Sequence, residues 1–386
     1  MRIPPVVESC RLLILSGLFC GACWIGGSAV AQAPPRPEVD RAFTAACAWI
    51  LSQQSTDGRW CSDTYGVLRS GVGTTAITLE ALSELKPQAG SREHAAFLKG
   101  ITAVTSSVSS TGLIQSPDGR SDSPVYGTAL LLSASDRLQP LPANVRRRLV
   151  AGLLNAQQIP SNGWPQQAVG RGGWGVEPDP ATVDSNPANL SVTVHVLRVL
   201  TAKESLSSDA RDEVKRFLNH CRNERLEPDG GFWFFPRLND ELNKGGVFLN
   251  ESGEIQPHSY STATSDGIQA LLSLEFPRDG KDCDAALTTF ARQPLIPVPA
   301  LPTSADEILP PLSGLYFYHA ATFSTLWAET RDPRLLSKRN QVIQQLLATQ
   351  REDGRWENPV AWMREDDPII ATALAVIALK RLSLPE

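Results

Sequence analysis

An acidic cluster, Arg364-Glu365-Asp366-Asp367, directly precedes the last apolar segment of the chain. A carboxyl group that an apolar setting keeps protonated can serve as an acid, so Asp366 is a candidate catalytic residue. The cluster is also typical of a helix start, because Asp367-Pro368 places an N-cap residue before a proline at the first helical position. We therefore expect Asp367 to cap a helix, where neighbouring carboxylates are also favourable.

A recurring threonine frame singles out two further ionisable residues. Six segments carry a threonine followed by apolar residues about one and two helical turns later: Thr75, Thr128, Thr193, Thr264, Thr322 and Thr372. If that apolar stripe packs outward, the residue at position +2 lies about 200° round the helix and faces the opposite side. The residues at +2 are Ile77, Leu130, His195, Asp266, Ser324 and Leu374.

His195 and Asp266 stand on consecutive segments of this set. The pair suits an acid and base, the start of a metal site or a plain salt bridge. The alternative is that Asp266 only caps its helix and that His195 is solvated or hydrogen-bonded. If the pair is functional, the two backbones should lie about 8 to 10 Å apart, with Tyr260 or His319 completing the group.

Aromatic residues form two short runs, "GFWFF" and "LYFYH". Ring faces attract cations and offer an apolar wall, so these residues suit a pocket for a hydrocarbon or a carbocation. Aromatic runs serve equally well as core. The candidate substrate-binding residues are Trp233, Phe234, Tyr260, Tyr316, Tyr318 and His319.

Amphipathic helices are predicted between the threonine segments. They span about residues 40–53, 93–106, 143–157, 209–222, 283–292 and 333–350. Polar outer helices thus alternate with apolar inner ones. Because each pair buries its shared face only against its neighbours, twelve helices in six pairs predict an all-α double ring.

The turns between outer and inner helices share a pattern of Gln, Asp-Gly and Trp. Asp-Gly suits a tight turn, a Gln amide can satisfy free helix ends, and Trp covers the turn. Two copies are strong and two are weaker: Gln54, Asp57, Gly58 and Trp60; Gln350, Asp353, Gly354 and Trp356; Gln158, Gly163 and Trp164; Asp229, Gly230 and Trp233.

This repeat resembles that of the terpenoid cyclase and protein prenyltransferase superfamily, best known from squalene-hopene cyclases, over about residues 38–384. Within it, the chain is most similar to exported bacterial proteins with squalene-cyclase repeats. The resemblance implies an (α/α)6 toroid around a central cavity that takes a polyisoprenoid.

The catalytic motifs of the superfamily are incomplete in this chain. Class II cyclases use Asp-x-Asp-Asp as the acid, and Arg364 replaces its first Asp. Protein prenyltransferases hold zinc with an Asp-x-Cys pair and a later His. His319 resembles that His, but Asp282 and Cys283 have the wrong spacing, so we expect no metal and no other cofactor.

The first residues predict export. Arg2 and Arg11 flank a short apolar run followed by "AVAQAPP", which indicates a signal peptide at residues 1–33, cleaved after Ala31 or Ala33. A retained N-terminal anchor is the alternative. We expect a secreted or periplasmic protein with a single toroid domain at residues 34–384.

Composition and family together frame the expected function. A net charge of -5 on 386 residues gives no reason to expect a nucleic-acid partner. We expect an exported toroid that binds an apolar polyisoprenoid, contacts a membrane surface, and, if it is an enzyme, is a terpenoid cyclase or mutase-like isomerase. The alternative is a non-catalytic binding or protein-interaction toroid whose protein partner is unknown.

Overall fold

The computed structural model describes residues 36–120, 122–182, 187–223, 229–236, 243–249, 253, 255–298 and 311–384. The predicted signal peptide and the domain boundary at residue 34 lie outside this part of the chain. Within it, no helix is long and apolar enough to cross a membrane.

Six largely buried helices form an inner ring. They are α2 (Val72–Leu85), α4 (Pro124–Leu138), α6 (Leu190–Thr201), α8 (Ser261–Ser273), α10 (Tyr316–Thr330) and α12 (Pro368–Leu382). Each contacts the next, and α12 contacts α2, which closes the ring. The predicted all-α (α/α)6 toroid is thereby confirmed.

Six amphipathic helices surround this ring. They are α1 (Arg36–Ser52), α3 (Arg92–Thr105), α5 (Ala143–Asn155), α7 (Ser208–His220), α9 (Lys281–Arg292) and α11 (Leu336–Thr349). In α7, the buried residues Ala210, Val214, Phe217 and Leu218 recur at helical spacing and form one apolar stripe. Helix α3 packs on α2, α5 on α4, α9 on α8 and α11 on α10, while α1 packs on α12.

A small hairpin interrupts the helical pattern before α8. Strands β1 (Val247–Leu249) and β2 (Ile255–Pro257) pair antiparallel, with Phe248 opposite Gln256. No alternating pattern of apolar and polar residues in the sequence predicts this hairpin. The hairpin lies between the turn at Phe232 and helix α8. Lys244, three residues before β1, lines the cavity inside the ring.

Five of the turns that lead into inner helices share one geometry. In each, a glycine with φ between 73° and 100° precedes by two residues a large apolar residue; these glycines are Gly58, Gly112, Gly172, Gly230 and Gly354. The backbone N–H of the apolar residue donates to the threonine of the inner helix at 2.9 to 3.2 Å. These pairs are Trp60 with Thr75, Ile114 with Thr128, Trp174 with Thr193, Phe232 with Thr264, and Trp356 with Thr372. The threonine frame therefore ties five of the six inner helices to their own turns.

The glutamines join neighbouring repeats. The side-chain amide of Gln54 donates to the carbonyls of Gly58 in its own turn and of Ala96 in α3, each at 2.9 Å. Gln350 does the same toward Gly354 and toward Ala42 in α1, also at 2.9 Å. Each glutamine thus links its turn to a carbonyl inside the next outer helix, whereas the repeat pattern predicted that it would satisfy a free helix end.

Two of the weaker turn assignments were wrong. After α5, the amide donor is Gln157 rather than Gln158, and the aromatic that covers the turn is Trp174 rather than Trp164. A long insertion separates Gln157 from Gly172, so the fixed spacing used for the other copies pointed to the wrong tryptophan. Before α8, Phe232 rather than Trp233 occupies the aromatic place.

Candidate functional site

The inner ring encloses a cavity with two chambers. One chamber, of about 250 Å³, lies at the N-terminal ends of the inner helices, and the other, of about 410 Å³, lies at their C-terminal halves. We call them the N-terminal and C-terminal chambers. Four side chains line both and form the waist between them: Ile77, Tyr126, Tyr318 and Leu374. The two chambers therefore share part of one wall.

The threonine frame predicted that the residue at position +2 faces the cavity. In five of the six inner helices this residue does line it. Ile77, Leu130, His195 and Leu374 line the C-terminal chamber, and Asp266 lines the N-terminal one.

In α10 the frame was misplaced by two residues. The cavity residue is Thr322, whereas Ser324 is buried and its hydroxyl donates to the carbonyl of Ala321 at 2.6 Å. Ala320 takes the place that threonine holds in the other five helices.

Asp266 is a buried carboxyl group on the chamber wall, with 1% of its surface exposed. The hydroxyl of Tyr318 donates to its Oδ2 at 3.0 Å, and the hydroxyl of Thr322 donates to its Oδ1. Burial raises the pKa of Asp266 to about 7, although both hydroxyls and the charges of Lys244 and Arg198 act in the opposite direction. A large fraction of this carboxyl is thus protonated at neutral pH.

His195 does not pair with Asp266. Its ring packs edge-on against Tyr126, with centroids 4.9 Å apart, and lies 6.3 Å from the ring of Tyr318. Burial first, and then the charge of Arg198, lower the pKa of His195 to about 3, so the imidazole is neutral. Tyr318 bridges the two residues, since its ring faces His195 and its hydroxyl binds Asp266. The predicted acid and base pair is replaced by a carboxyl group with two hydroxyl donors.

The candidate substrate-binding aromatics divide into two sets. Phe234, Tyr260 and Tyr318 line the N-terminal chamber. Trp233, Tyr316 and His319 line neither chamber and are buried elsewhere in the protein.

His319 faces the outer layer. Its ring centroid lies 6.4 Å from that of Phe290 in α9, and Thr262 lies 3.3 Å from its Nδ1. Tyr316 also points outward, toward Gln345 of α11, at 3.5 Å. The cavity-facing positions of α10 lie two residues earlier than the threonine frame predicted. The side of this helix that faces the cavity therefore contains Tyr318 rather than Tyr316 and His319. In the described residues, no group of three or more His, Cys, Asp or Glu side chains could hold a metal ion.

The carboxylates of the acidic cluster at 364–367 are structural apart from one. Asp367 caps α12 by accepting from the N–H of Ile369 at 2.9 Å, as predicted. Asp366 lines neither chamber and accepts from the hydroxyl of Tyr65 at 2.5 Å, which contradicts its assignment as the acid.

Glu365 is the carboxylate of the cluster that reaches the N-terminal chamber, beside Arg364. Its carboxylate accepts from the backbone N–H groups of Phe317 and Tyr318 at 2.9 and 2.7 Å and so caps α10. Burial raises the pKa of Glu365 to about 7, against the effect of these hydrogen bonds. The sequence predicted a carboxylate at a helix N-terminus, but the capped helix belongs to the preceding repeat, which spacing along one segment does not reveal.

Sequence patterns also missed two charged residues of the N-terminal chamber. Lys244 precedes β1, and its Nζ lies 3.4 Å from the centroid of the Phe234 ring. Asp122, 2% exposed, accepts from the N–H of Gly73 at 2.8 Å and from the hydroxyl of Ser70 at 3.2 Å. Burial raises the pKa of Asp122. Both residues lie in loops, so no helical periodicity could have placed them.

The C-terminal chamber carries a network of ion pairs. Arg381 of α12 binds Glu80 of α2 at 3.0 Å, and Arg137 of α4 binds the same Glu80 at 3.1 Å. Arg198 of α6 binds Glu329 of α10 at 3.0 Å. Burial opposes ionisation of Glu80, but Arg137 and Arg381 outweigh it and lower its pKa. Each of these cations is thus matched by a carboxylate.

Comparisons with known proteins identify the fold. No protein-family model and no curated protein matches this chain. Among solved structures, the type II terpene cyclase MstE from Scytonema is 12% identical, with a TM-score of 0.56 over 89% of this chain and 98% of that one.

Two further solved structures have the same architecture. A protein from Actinoplanes is 16% identical, with a TM-score of 0.55 over 90% of this chain and 100% of that one. The alpha-1,6-mannanase GH76A from Salegentibacter sp. HEL1_6 is 15% identical, with a TM-score of 0.54 over 89% of this chain and 99% of that one. The predicted likeness to the terpenoid cyclase superfamily is confirmed at the level of the toroid fold, which a mannanase shares.

Proposed function

We propose that this protein binds an apolar, isoprenoid-like ligand in the N-terminal chamber and that Asp266 protonates it. The observation that carries the proposal is the position of Asp266, whose carboxyl group lies on the chamber wall with 1% of the residue exposed; this burial raises its pKa to about 7. A carboxylic acid held neutral by burial is the kind of group that can donate a proton to an unactivated ligand.

The lining of the chamber supports an apolar ligand. Its walls include Leu68, Ile77, Val176, Val192, Phe234, Leu315, Met363, Ile370 and Leu374. The cyclase MstE has been solved as variants in complex with geranylgeranyl dihydroxybenzoate, its substrate, and merosterolic acid A, its product. An inactive variant of the mannanase was solved with alpha-1,6-mannotriose, but the apolar side chains of these walls favour a hydrocarbon over a sugar.

The proposed chemistry is an isomerisation. The proton moves from Asp266 to one carbon of an alkene, the π electrons form the new C–H bond, and the other carbon becomes a cation. The rings of Tyr126, Tyr260 and Tyr318 line the same chamber and present electron-rich faces to that cation. Attack by a second alkene and loss of a proton would complete the reaction with no change in atomic composition.

A second candidate function is binding without catalysis. The observation in its favour is that three members of the acidic cluster, Glu365, Asp366 and Asp367, already accept hydrogen bonds in capping or tyrosine contacts. In this case the toroid would retain the chamber and hold its ligand unchanged.

The test is to incubate the purified mature protein with squalene and with shorter polyprenes and to analyse the products by mass spectrometry. We expect cyclic isomers from the wild-type protein and none from Asp266→Asn, with Asp366→Asn as a matched control that keeps activity. Binding by the wild-type protein without product would favour the second function. Equal activity of Asp266→Asn would exclude Asp266 as the acid.

Export remains part of the proposal and concerns residues outside the described part of the chain. An N-terminal signal peptide at residues 1–33 would deliver the toroid to a secreted or periplasmic location. Intact-mass analysis of the protein recovered from the extracytoplasmic fraction checks this. A mature N-terminus after Ala31 or Ala33 is expected, and an uncleaved chain in the cytoplasm would contradict it.

We also propose that the face around the N-terminal chamber contacts a membrane surface. Val67 and Trp362 are 38% and 64% exposed, and each adjoins a residue that lines the chamber, Leu68 and Met363 respectively. The hydroxyl of Tyr65 donates to the carbonyl of Ala361 at 3.2 Å and joins the two loops.

Co-sedimentation with phosphatidylcholine vesicles tests this contact. Trp362→Ser and Val67→Ser should lower the bound fraction, because both remove apolar surface from the face. Leu98→Ser, on an exposed site of α3, is the control and should leave binding unchanged. Equal binding by all variants would exclude this face.

A further inference from the structure

We propose that the ligand of the N-terminal chamber carries an anionic head group, a carboxylate or a phosphate, which pairs with Lys244. This inference rests on the proposed function and specifies its ligand as amphipathic.

Among the described residues, Lys244 is a cation of the N-terminal chamber that has no carboxylate within ion-pair distance. It lines the N-terminal chamber, and its Nζ lies over the Phe234 ring at 3.4 Å from the centroid. Within the described residues, its side chain forms no ion pair or hydrogen bond. The other cation of this chamber, Arg364, is exposed and lies over the ring of Tyr65 at 5.8 Å.

The cations of the C-terminal chamber each have an ion-pair partner of the kind that Lys244 lacks among the described residues. Arg137, Arg198 and Arg381 are each matched by a glutamate within 3.2 Å. A ring face attracts an ammonium group, but it compensates only part of the cost of removing the charge from water. A ligand anion would supply the carboxylate-like partner that Lys244 lacks.

Asp266 does not fill this role in the structure. Both of its oxygens accept hydroxyl hydrogen bonds, from Tyr318 and Thr322, and burial favours its neutral form. Lys244 and Asp266 nevertheless influence each other through space, since each shifts the pKa of the other. Because both residues line the same chamber, a head group at Lys244 would leave its apolar chain in the space that Asp266 also lines.

The test measures the affinity of three probes with one chain length, farnesoic acid, farnesyl phosphate and farnesol, by calorimetry. We expect at least one anion to bind wild-type protein about ten-fold tighter than farnesol, and the tighter of the two identifies the head group. Lys244→Met should remove this preference while farnesol affinity stays within about two-fold. Lys203→Met, on an exposed loop, should change nothing.

Several outcomes would overturn the inference. If farnesol binds wild-type protein as tightly as both anions, the head-group proposal fails and the proposed function stands. If no probe binds, both fail. If Lys244→Met weakens all three probes equally, Lys244 is only structural. Lys244→Arg keeps the charge and should keep the preference, which excludes a folding defect as the cause.

Discussion

At the scale of single residues, the chemistry depends on how Asp266 is buried. The frame of the inner helices predicted that residue +2 faces the cavity, and Asp266 does so. Its two hydrogen-bond donors could not be predicted in the same way. Tyr318 and Thr322 come from α10, the one inner helix whose frame the sequence misplaced. Periodicity orients a residue on its own helix, but partners depend on the register of the neighbouring helix.

The raised pKa of Asp266 predicts a pH-dependent stability. In the unfolded chain the carboxyl titrates near 3.8, and in the folded protein near 7, so the folded state binds the proton more tightly. Stability from this group is full below pH 4 and is lost as the pH rises through 7. Between pH 5 and 8 the loss should be roughly 2.5 kcal/mol.

Urea unfolding of wild-type protein and Asp266→Asn at pH 5 and pH 8 measures this loss. The variant should gain stability relative to wild type at pH 8, because the amide is never ionised. Comparing the two proteins removes the contribution of Glu365, which titrates in both. An identical pH dependence in both proteins would mean that the folded pKa of Asp266 is ordinary.

At the scale of elements, the turns hold the repeats together. Gly172 has φ of 100°, and a Cβ there would lie 1.9 Å from the carbonyl oxygen of Glu213 in α7. Gly163, the glycine predicted for this turn, has φ of 85° and open space around it. The two glycines share a left-handed conformation and differ in packing alone.

Gly163→Ala and Gly172→Ala therefore form a matched pair. Gly163→Ala should cost about 1 kcal/mol, the strain of a side chain at positive φ. Gly172→Ala should cost at least about 2 kcal/mol more, because α7 must also move. Chemical denaturation of both variants gives the comparison, and equal losses would refute the assignment of Gly172 as the turn glycine.

The turns between helices were predictable from sequence where the glutamine, glycine and tryptophan lie close together in the chain. The turns at Trp60 and Trp356 keep a short spacing from glutamine to tryptophan, and both were found. The turn at Trp174 was missed because an insertion separates it from Gln157. Glu365 was expected at a helix start, yet it caps α10 instead of α12, because that choice depends on how two repeats dock.

At the scale of the whole molecule, closure of the ring joins residues far apart in the chain. Arg381 of the last inner helix binds Glu80 and Glu84 of the first, at 3.0 and 2.5 Å. All three side chains are buried. Loss of the arginine would leave two buried carboxylates with less compensation, which is costly in the interior.

Arg381→Met should therefore destabilise the protein by about 3 kcal/mol. Arg351→Met removes the same charge at an exposed position and should change stability by less than about 0.5 kcal/mol. Thermal unfolding of both variants measures the difference. Equal effects would show that the ion pairs between the ends of the ring do not contribute to closure.

The most direct measurement of the central claim is the isotope content of a product formed in deuterium oxide. If Asp266 starts the reaction by protonating an alkene, each product molecule carries one deuterium bound to carbon, and Asp266→Asn forms no product. Mass spectrometry should then show product one mass unit heavier than that formed in ordinary water. Product without deuterium, or labelled product from Asp266→Asn at the wild-type rate, would contradict the account.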